Sequence, residues 1–306
     1  MQHFQLLIAG GTGFIGQALI ADRLKRGDTI TVLGRNIDKI HRCYKDSVKA
    51  LTWEQLSTGT LAQFDVVINL AGENIGDKRW SKARKAAILK SRTVTTQRLA
   101  HLCAELVEAA PRLLNASAIG IYGAHPTASV VDETIPINRP PFPDFLTEVG
   151  VRWEEATQAA KTAGVNVVNL RFAVVLGLRG GMLKKLWLPF RLGLGQIIGN
   201  GKQKISWVSV SDVINSIDII LHNEQLTGPI NIVSPQVISQ REFAKTLANY
   251  LHRPCWLRLP KPLILCLFGQ MGKELLLSSQ CVEPKVLTEH EYRFITPTLA
   301  DCLAKL

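Results

Sequence analysis

Three glycines, Gly10, Gly13 and Gly16, stand in the string GGTGFIG at residues 10–16, and Arg35 follows nineteen residues after the last of them. That spacing suits a pyrophosphate. Gly10 and Gly13 permit a tight turn and a close backbone approach, Gly16 lets a helix pack on a strand, and the first amides of that helix face the phosphates with their partial positive charge. The residue beyond the second strand of such a fold reads the adenosine ribose. An Asp or Glu there accepts from the free hydroxyls of NAD, whereas an arginine attracts the 2′-phosphate of NADP, so Gly34 and Arg35 select NADP(H). The contact set read from the string is Gly10, Gly11, Thr12, Gly13, Phe14, Ile15 and Gly16. A purely structural glycine turn is the competing reading. The apolar run at 4–9 before the string, and the amphipathic helix after it (Phe14, Ile15, Ala18, Leu19, Leu24), weigh against that alternative.

A second group of residues lies where later strands must end. The run DVVINL at 65–70 is apolar enough for the interior of a parallel sheet, and it empties into Leu70, Ala71 and Gly72, small enough at the last two to let a nucleotide lie on the backbone. ENIGDKRW at 73–80 crowds Glu73, Asn74, Asp77, Lys78, Arg79 and Trp80 together and reads as a substrate or cofactor loop. Ser117 and Tyr122, at the end of the fifth strand, can orient a carbonyl oxygen. Glu73, Glu148 or Lys78 can carry protons if burial shifts them. Each has a plainer alternative: Tyr122 as a packing aromatic, Glu73 and Asn74 as binders of substrate hydroxyls, Glu148 as a helix-surface acid. Arg171, on a buried strand, requires a carboxylate or phosphate partner. The seven histidines and six cysteines show neither metal-ligand spacing nor a disulfide framework, so no metal is expected and the thiols read as reduced.

The elements that must position these groups alternate. Strands are expected at 29–33, 48–53, 65–70, 113–118 and 165–172, with helices at 81–110 and 144–163 between them, which predicts an α/β Rossmann-type doubly wound parallel sheet. From Gly177 the alternation fails. A Gly-rich basic stretch at 179–201 leads into irregular pieces and one firm helix at 239–251, where Ser239 and Glu242 form a capping box. The expected organisation is an NADP-binding domain over 1–176 and a smaller substrate-side α+β lobe over 177–306. With 306 residues, 46% of them hydrophobic, the chain has material for a substantial core. Its longest apolar run, 263–268, is far short of the roughly 20 residues of a membrane span, and no leader pattern opens it, so a cytoplasmic location without a membrane partner is expected. A net charge of +11 favours anionic ligands, but no nucleic-acid motif accompanies it.

With those residues in hand, the chain resembles the extended short-chain dehydrogenase/reductase superfamily, and within it an atypical epimerase family group related to nucleotide-sugar epimerases. The likeness runs nearly end to end: GGTGFIG, NLAGENI at 69–75, Arg79–Trp80, Ser91–Arg92, VVLG at 174–177, PFRLGLG at 189–195, SWVSVSD at 206–212 and the segment 274–284. It implies that Gly34 and Arg35 meet the 2′-phosphate, Leu70 and Ala71 the adenosine, Arg92 a cofactor phosphate, and Val175 the nicotinamide end. It also implies a Tyr and, four residues on, a Lys for proton transfer. This chain has Phe145 or Leu146 and Val149 or Gly150 there, and Ala118 beside Ser117 where a hydroxyl is usual. Ser117, Tyr122 and Glu73 are therefore the catalytic candidates, with Ser117 also counted among cofactor contacts. The implied function is an NADP(H)-dependent oxidoreductase or epimerase-like enzyme with an altered proton-transfer set, acting on a polar small molecule, phosphorylated and nucleotide-linked ones included. The alternatives are a catalytically idle NADP-binding sensor or strut, and a charge-driven nucleic-acid binder.

Overall fold

The apolar runs become the interior of one seven-stranded parallel sheet, seen in a computed structural model that describes residues 3–124, 130–137 and 139–306. In chain order the first six strands are β1 (Gln5–Ala9), β2 (Thr29–Gly34), β3 (Lys49–Thr52), β4 (Val66–Asn69), β5 (Arg112–Ala118) and β6 (Val167–Phe172). The seventh, Gly228–Ile232, comes from the C-terminal half and pairs with β6, giving the order Gly228–Ile232, β6, β5, β4, β1, β2, β3. The order reverses between β1 and β4, and such a reversal opens a crevice at the carboxyl ends of the strands.

Both faces of the sheet are covered, which is why its strands are not alternating but apolar throughout. Leu6, Ile8, Ile30 and Val32 face the helix α1 (Phe14–Lys25) side, with Leu19 and Ile20 among the same packed residues. Leu7, Ala9, Val67 and Leu113 pack instead with Leu99, Ala100 and Cys103 of the helix Lys82–Leu106. Under α1, the fully buried Arg23 is held by Asp28 and, at the far end, by Asp218 of the helix Val210–His222.

Two expected helices end earlier than their apolar spacing suggests. The 81–110 helix stops at Leu106 and closes in a 3₁₀ turn, Val107–Ala109. The 144–163 helix is two, Phe145–Glu155 and Gln158–Thr162, broken where the buried Thr157 turns its hydroxyl onto Glu154 O at 2.6 Å. The capping box is present as read, with Ser239 and Glu242 bonded reciprocally at the start of Gln240–Tyr250.

Beyond Gly177 the chain forms three short strand pairs, Val174–Gly177 with Trp207–Ser209, Gln196–Ile198 with Leu257–Leu259, and Lys204–Ile205 with Ile238–Ser239. They enclose a further core of Leu176, Leu183, Phe190, Trp207, Phe243, Leu247 and Leu303. Its closing segment is tied down by Asp212, which is fully buried and accepts from Ser209 Oγ (2.8 Å), Tyr292 Oη (3.1 Å), Ile295 N (2.6 Å) and Thr296 N (3.1 Å). Removing that acceptor strands several buried donors at once. Asp212→Ala is expected to lower the free energy of unfolding by about 3 kcal/mol in urea titrations followed by tryptophan fluorescence.

Candidate functional site

The glycine string forms the turn that its spacing requires. Gly10 has φ +78°, and a side chain there would begin 2.5 Å from Leu70 O, so only a glycine lets this turn lie on the end of β4. Gly13 is the N-cap of α1, extended and without a side-chain cap, which leaves the first-turn amides open toward the crevice. Gly16 packs on Gly10 O, with 2.6 Å to where its Cβ would stand. The turn is braced from behind by Tyr44, whose hydroxyl donates to Gly11 O at 2.5 Å, and by Gln17 Nε2 donating to Thr12 O at 2.9 Å. Burial raises Tyr44 well above the ordinary phenol range, so it stays a neutral donor. Phe14 lies against Gly177 and Gly180, and Ile15 packs into the core, while Val175 pairs with Val208 on the strand leading to those glycines.

Three arginines surround the end of β4. Arg35 reaches from the end of β2 with its side chain 86% exposed and its Nη2 3.9 Å from Glu73 Oε1. Arg84 holds the other oxygen of Glu73 at 3.0 Å and also donates to Asn74 O. Glu73 is thus an anchor between two guanidinium groups, and its amide is fixed by Ser91 Oγ at 3.0 Å. The structure brings it to the end of β4, between Arg35 and Arg84. Arg92 lies beneath Gly72, stacked 4.9 Å from the Trp153 ring, and among the described residues its guanidinium donates to one acceptor, Ile88 O, at 3.0 Å. Burial, then the charge of Arg84, pushes its pKa down to about 10, with Glu73 partly offsetting. At neutral pH it is still a cation, desolvated and facing no carboxylate of its own. Such a group awaits an anion.

Ser117 and Tyr122 are both engaged elsewhere. Ser117 Oγ donates to Glu154 Oε1 at 2.7 Å; Glu154 takes Arg171 in a two-pronged pair at 2.8 and 2.8 Å; Arg171 Nη1 donates to Tyr122 Oη at 2.8 Å, which in turn donates to Asn231 Oδ1 at 2.8 Å. Glu154 is the carboxylate that Arg171 requires. Burial pulls Arg171 down, but Glu154 and Tyr122 more than offset it and hold the guanidinium above its ordinary value. Burial raises the Tyr122 hydroxyl, with Arg171 opposing. The network runs from β5 through the Phe145–Glu155 helix to β6 and Gly228–Ile232 and supports the floor of the crevice. Of the other proton candidates, Lys78 is exposed on its loop and Glu148 is half-buried on its helix.

Above that floor opens a cavity of about 520 Å³, walled by Gly120, Gly123, Leu146, Gln270, Glu274 and Gln280 among others. Leu146 lines it, and the positions where an acid/base pair is implied hold Phe145 or Leu146 and Val149 or Gly150. A side chain on Gly150 would begin 2.7 Å from Ile121 Cβ and 2.8 Å from Ile121 Cα, so the helix sits too close to the Ile119–Tyr122 turn to admit a lysine there. The far wall is the helix Lys261–Leu276, kinked at Gly269 (φ +57°) where the Arg79 guanidinium rests 3.1 Å from the Cβ position. The loop 73–80 therefore bridges both halves: Arg79 Nη1 donates to Cys266 O (3.2 Å) and Lys185 Nζ pairs with Asp77 (2.9 Å). The contact of Glu274 with Leu146 N was not legible in the sequence, because it exists only once this helix folds over Leu146.

Residues 6–233 match the NAD dependent epimerase/dehydratase family, and 259–306 match a domain of unknown function. The chain belongs to that epimerase family. Similar relatives include epimerase family protein YfhF of Bacillus subtilis, 31% identical over 98% of this chain and 97% of that one, and epimerase family protein SDR39U1 of Bos taurus, 33% identical over 99% of each. Human epimerase family protein SDR39U1, solved with NADPH, superposes with a TM-score of 0.84 at 30% identity and 98% coverage of both chains. Thermus thermophilus UDP-glucose 4-epimerase with NAD shares the fold at TM-score 0.74 and 19% identity, covering 98% of this chain and 96% of that one. Like those folds, this epimerase family member is a Rossmann-type α/β protein, and among its described residues no helix is long and apolar enough to cross a membrane. Because Glu154 neutralises the buried Arg171, Glu154→Ala is expected to cost about 4 kcal/mol of stability, measured by chemical unfolding.

Proposed function

We propose that this chain is an NADP(H)-dependent oxidoreductase of epimerase-like type whose substrate is a polar small molecule, phosphorylated and nucleotide-linked compounds included. The observation that carries the reading is the combination at one sheet edge of a side-chain-free cradle and a buried, carboxylate-free Arg92 under Gly72. A cradle that a Cβ would fill, ending in an uncapped helix, fits a pyrophosphate. Arg92 fits one of its oxygens. Arg35, exposed beyond β2 with Glu73 beside it, fits the 2′-phosphate. Leu70, Ala71 and Gly72 line the adenosine side, and Phe14 and Val175 lie toward the nicotinamide end. When bound, the nicotinamide exchanges a hydride with a substrate carbon. The NADPH of the human relative supports the choice of cofactor.

Ser117 and Tyr122 act in this reading as positioning residues, since their hydroxyls are spent on Glu154 and Asn231. That engagement also favours a second reading, an idle cofactor-binding protein, and turnover of any carbonyl or sugar nucleotide substrate eliminates it.

Two substitutions test the cofactor site by calorimetry. Arg35→Asp is expected to weaken NADPH binding by about 30-fold, equivalent to about 2 kcal/mol for a charge-assisted contact, and to spare NADH. Equal loss of both cofactors shows that Arg35 does not meet the 2′-phosphate. Arg92→Ala is expected to weaken both cofactors alike, again by about 30-fold, because the diphosphate is common to them. Unchanged affinity removes Arg92 from the site.

A further inference from the structure

We infer that Glu274, contributed by the C-terminal segment, carries the proton for the substrate in the cavity above β5, and that the substrate is a hydroxylated molecule bearing an anionic group. This rests on the redox reading just proposed, and it assigns a task to a segment whose matching domain has no known function.

Among the described residues, three titratable side chains line the cavity: Asp144, Lys273 and Glu274. Asp144 is committed as the N-cap of the Phe145–Glu155 helix, where its Oδ1 accepts from Thr147 N and Thr147 Oγ1, both at 2.8 Å. Lys273 is exposed at the mouth, a mobile point charge suited to drawing in an anionic group. Glu274 differs from both. It is 8% exposed, its Oε2 accepts from Leu146 N at 3.1 Å and its Oε1 from Gln270 Nε2 at 2.7 Å. Among the described residues no cation lies within ion-pair distance of it. Its carboxylate, buried in a cavity wall and held by two neutral donors, is placed to meet a hydroxyl group bound in that cavity. Two donors also leave lone pairs on both oxygens for a substrate hydroxyl.

The backbone amide of Leu146 fixes where that carboxylate stands. Phe145, Leu146, Val149 and Gly150 carry no titratable group, and Gly150 has no room for one, whereas Glu274 reaches the cavity from the opposite wall. In the oxidative direction the O–H bond of the substrate breaks, the proton forms an O–H bond on a Glu274 oxygen, and the hydrogen on carbon leaves with its electron pair to an oxidised nicotinamide. In the reverse direction the proton returns to the carbonyl oxygen, so an epimerisation cycle leaves Glu274 as it began.

The test uses the full chain with NADP(H) and a panel of sugar nucleotides and sugar phosphates that includes UDP-glucose and UDP-glucuronic acid, read by absorbance of the reduced cofactor in single turnovers. Glu274→Gln keeps an oxygen for Leu146 N and removes the proton acceptor. The expected result is a loss of about 100-fold in kcat with KM little changed, while NADPH fluorescence titration and calorimetry of the turned-over substrate give dissociation constants within about threefold of the parent. Glu274→Asp, which keeps the carboxylate but draws it back, is expected to fall between the two, and it decides the matter if Glu274→Gln no longer binds NADPH: parental kcat and pH profile in Glu274→Asp overturn the assignment. Parental kcat in a folded Glu274→Gln overturns it as well and leaves the redox reading standing. A parent protein that binds NADPH and turns over no member of the panel overturns the redox reading, and the role of Glu274 with it.

Discussion

The contact between the Gly10 turn and the end of β4 sets the geometry of the whole carboxyl edge. With 2.5 Å between the Gly10 Cβ position and Leu70 O, backbone lies directly on backbone, and α1 starts where the sheet order reverses. Had either side carried bulk, the helix N-terminus would stand away from Ala71 and Gly72, and the amides of α1 and the guanidinium of Arg92 would no longer face one small volume. The same closeness explains the bracing. Tyr44 and Gln17 take up the carbonyls of Gly11 and Thr12, and the Gly13 amide closes the turn on Gly10 O at 2.9 Å.

Polar groups inside the sheet serve the same edge. Asn69, Asn115 and Asn169 stand in register on β4, β5 and β6, each fully buried, and Asn69 and Asn115 bond to each other and to Thr96. Trp153 Nε1 also donates to Thr96. The Asn69–Asn115–Thr96 group, from which Asn169 stands apart with neither side-chain atom bonded among the described residues, and the Ser117–Glu154–Arg171–Tyr122 chain both tie the Phe145–Glu155 helix to the strands. Replacing a satisfied buried network with apolar side chains often stabilises a protein, so such networks are kept for what they specify more than for stability. Here they specify where Trp153 and Glu154 of that helix stand against the sheet.

What the sequence made legible was local. Interior strands showed as apolar runs because burial on both faces removes alternation, the glycine turn showed because its spacing is fixed by backbone geometry, and the Ser239–Glu242 box showed because both partners lie within one turn. The position of Arg35 just beyond β2 could be read because it is counted from the glycines. The helix break at Thr157 could not, since Thr157 on a helical spacing looks like any other residue until its hydroxyl turns inward. Nor could the partner of Arg171: the sequence required a carboxylate, but which one depends on how helix and strand pack. Ser117 and Tyr122 were visible as hydroxyls at a strand end, whereas their commitment to Glu154 and Asn231 is tertiary. Glu274 showed only as the start of the segment 274–284, because its contact with Leu146 spans 128 residues.

The position of Glu274 thus depends on what holds the Lys261–Leu276 helix against the first half of the chain. Two kinds of contact do so. Arg79 on Cys266 O and Lys85 on Gln270 are solvent-exposed, and exposed polar and ionic pairs contribute at most about 1 kcal/mol each. Beneath them, Trp80, Ile88, Phe145, Val149 and Met271 form one buried apolar cluster, with Trp80 and Phe145 edge to face at 5.0 Å and the indole N–H satisfied by Ile75 O at 2.9 Å. Each large side chain buried there is worth about 2 kcal/mol or more. The apolar cluster outweighs the polar straps severalfold, so it is Trp80 of the loop after β4, wedged on the helix that bears Leu146, that fixes the distance between the two walls. The loop that meets Arg35 and Arg84 through Glu73 therefore also meets the Phe145–Glu155 helix through Trp80, seven residues on, and both ends of the crevice share one mechanical part.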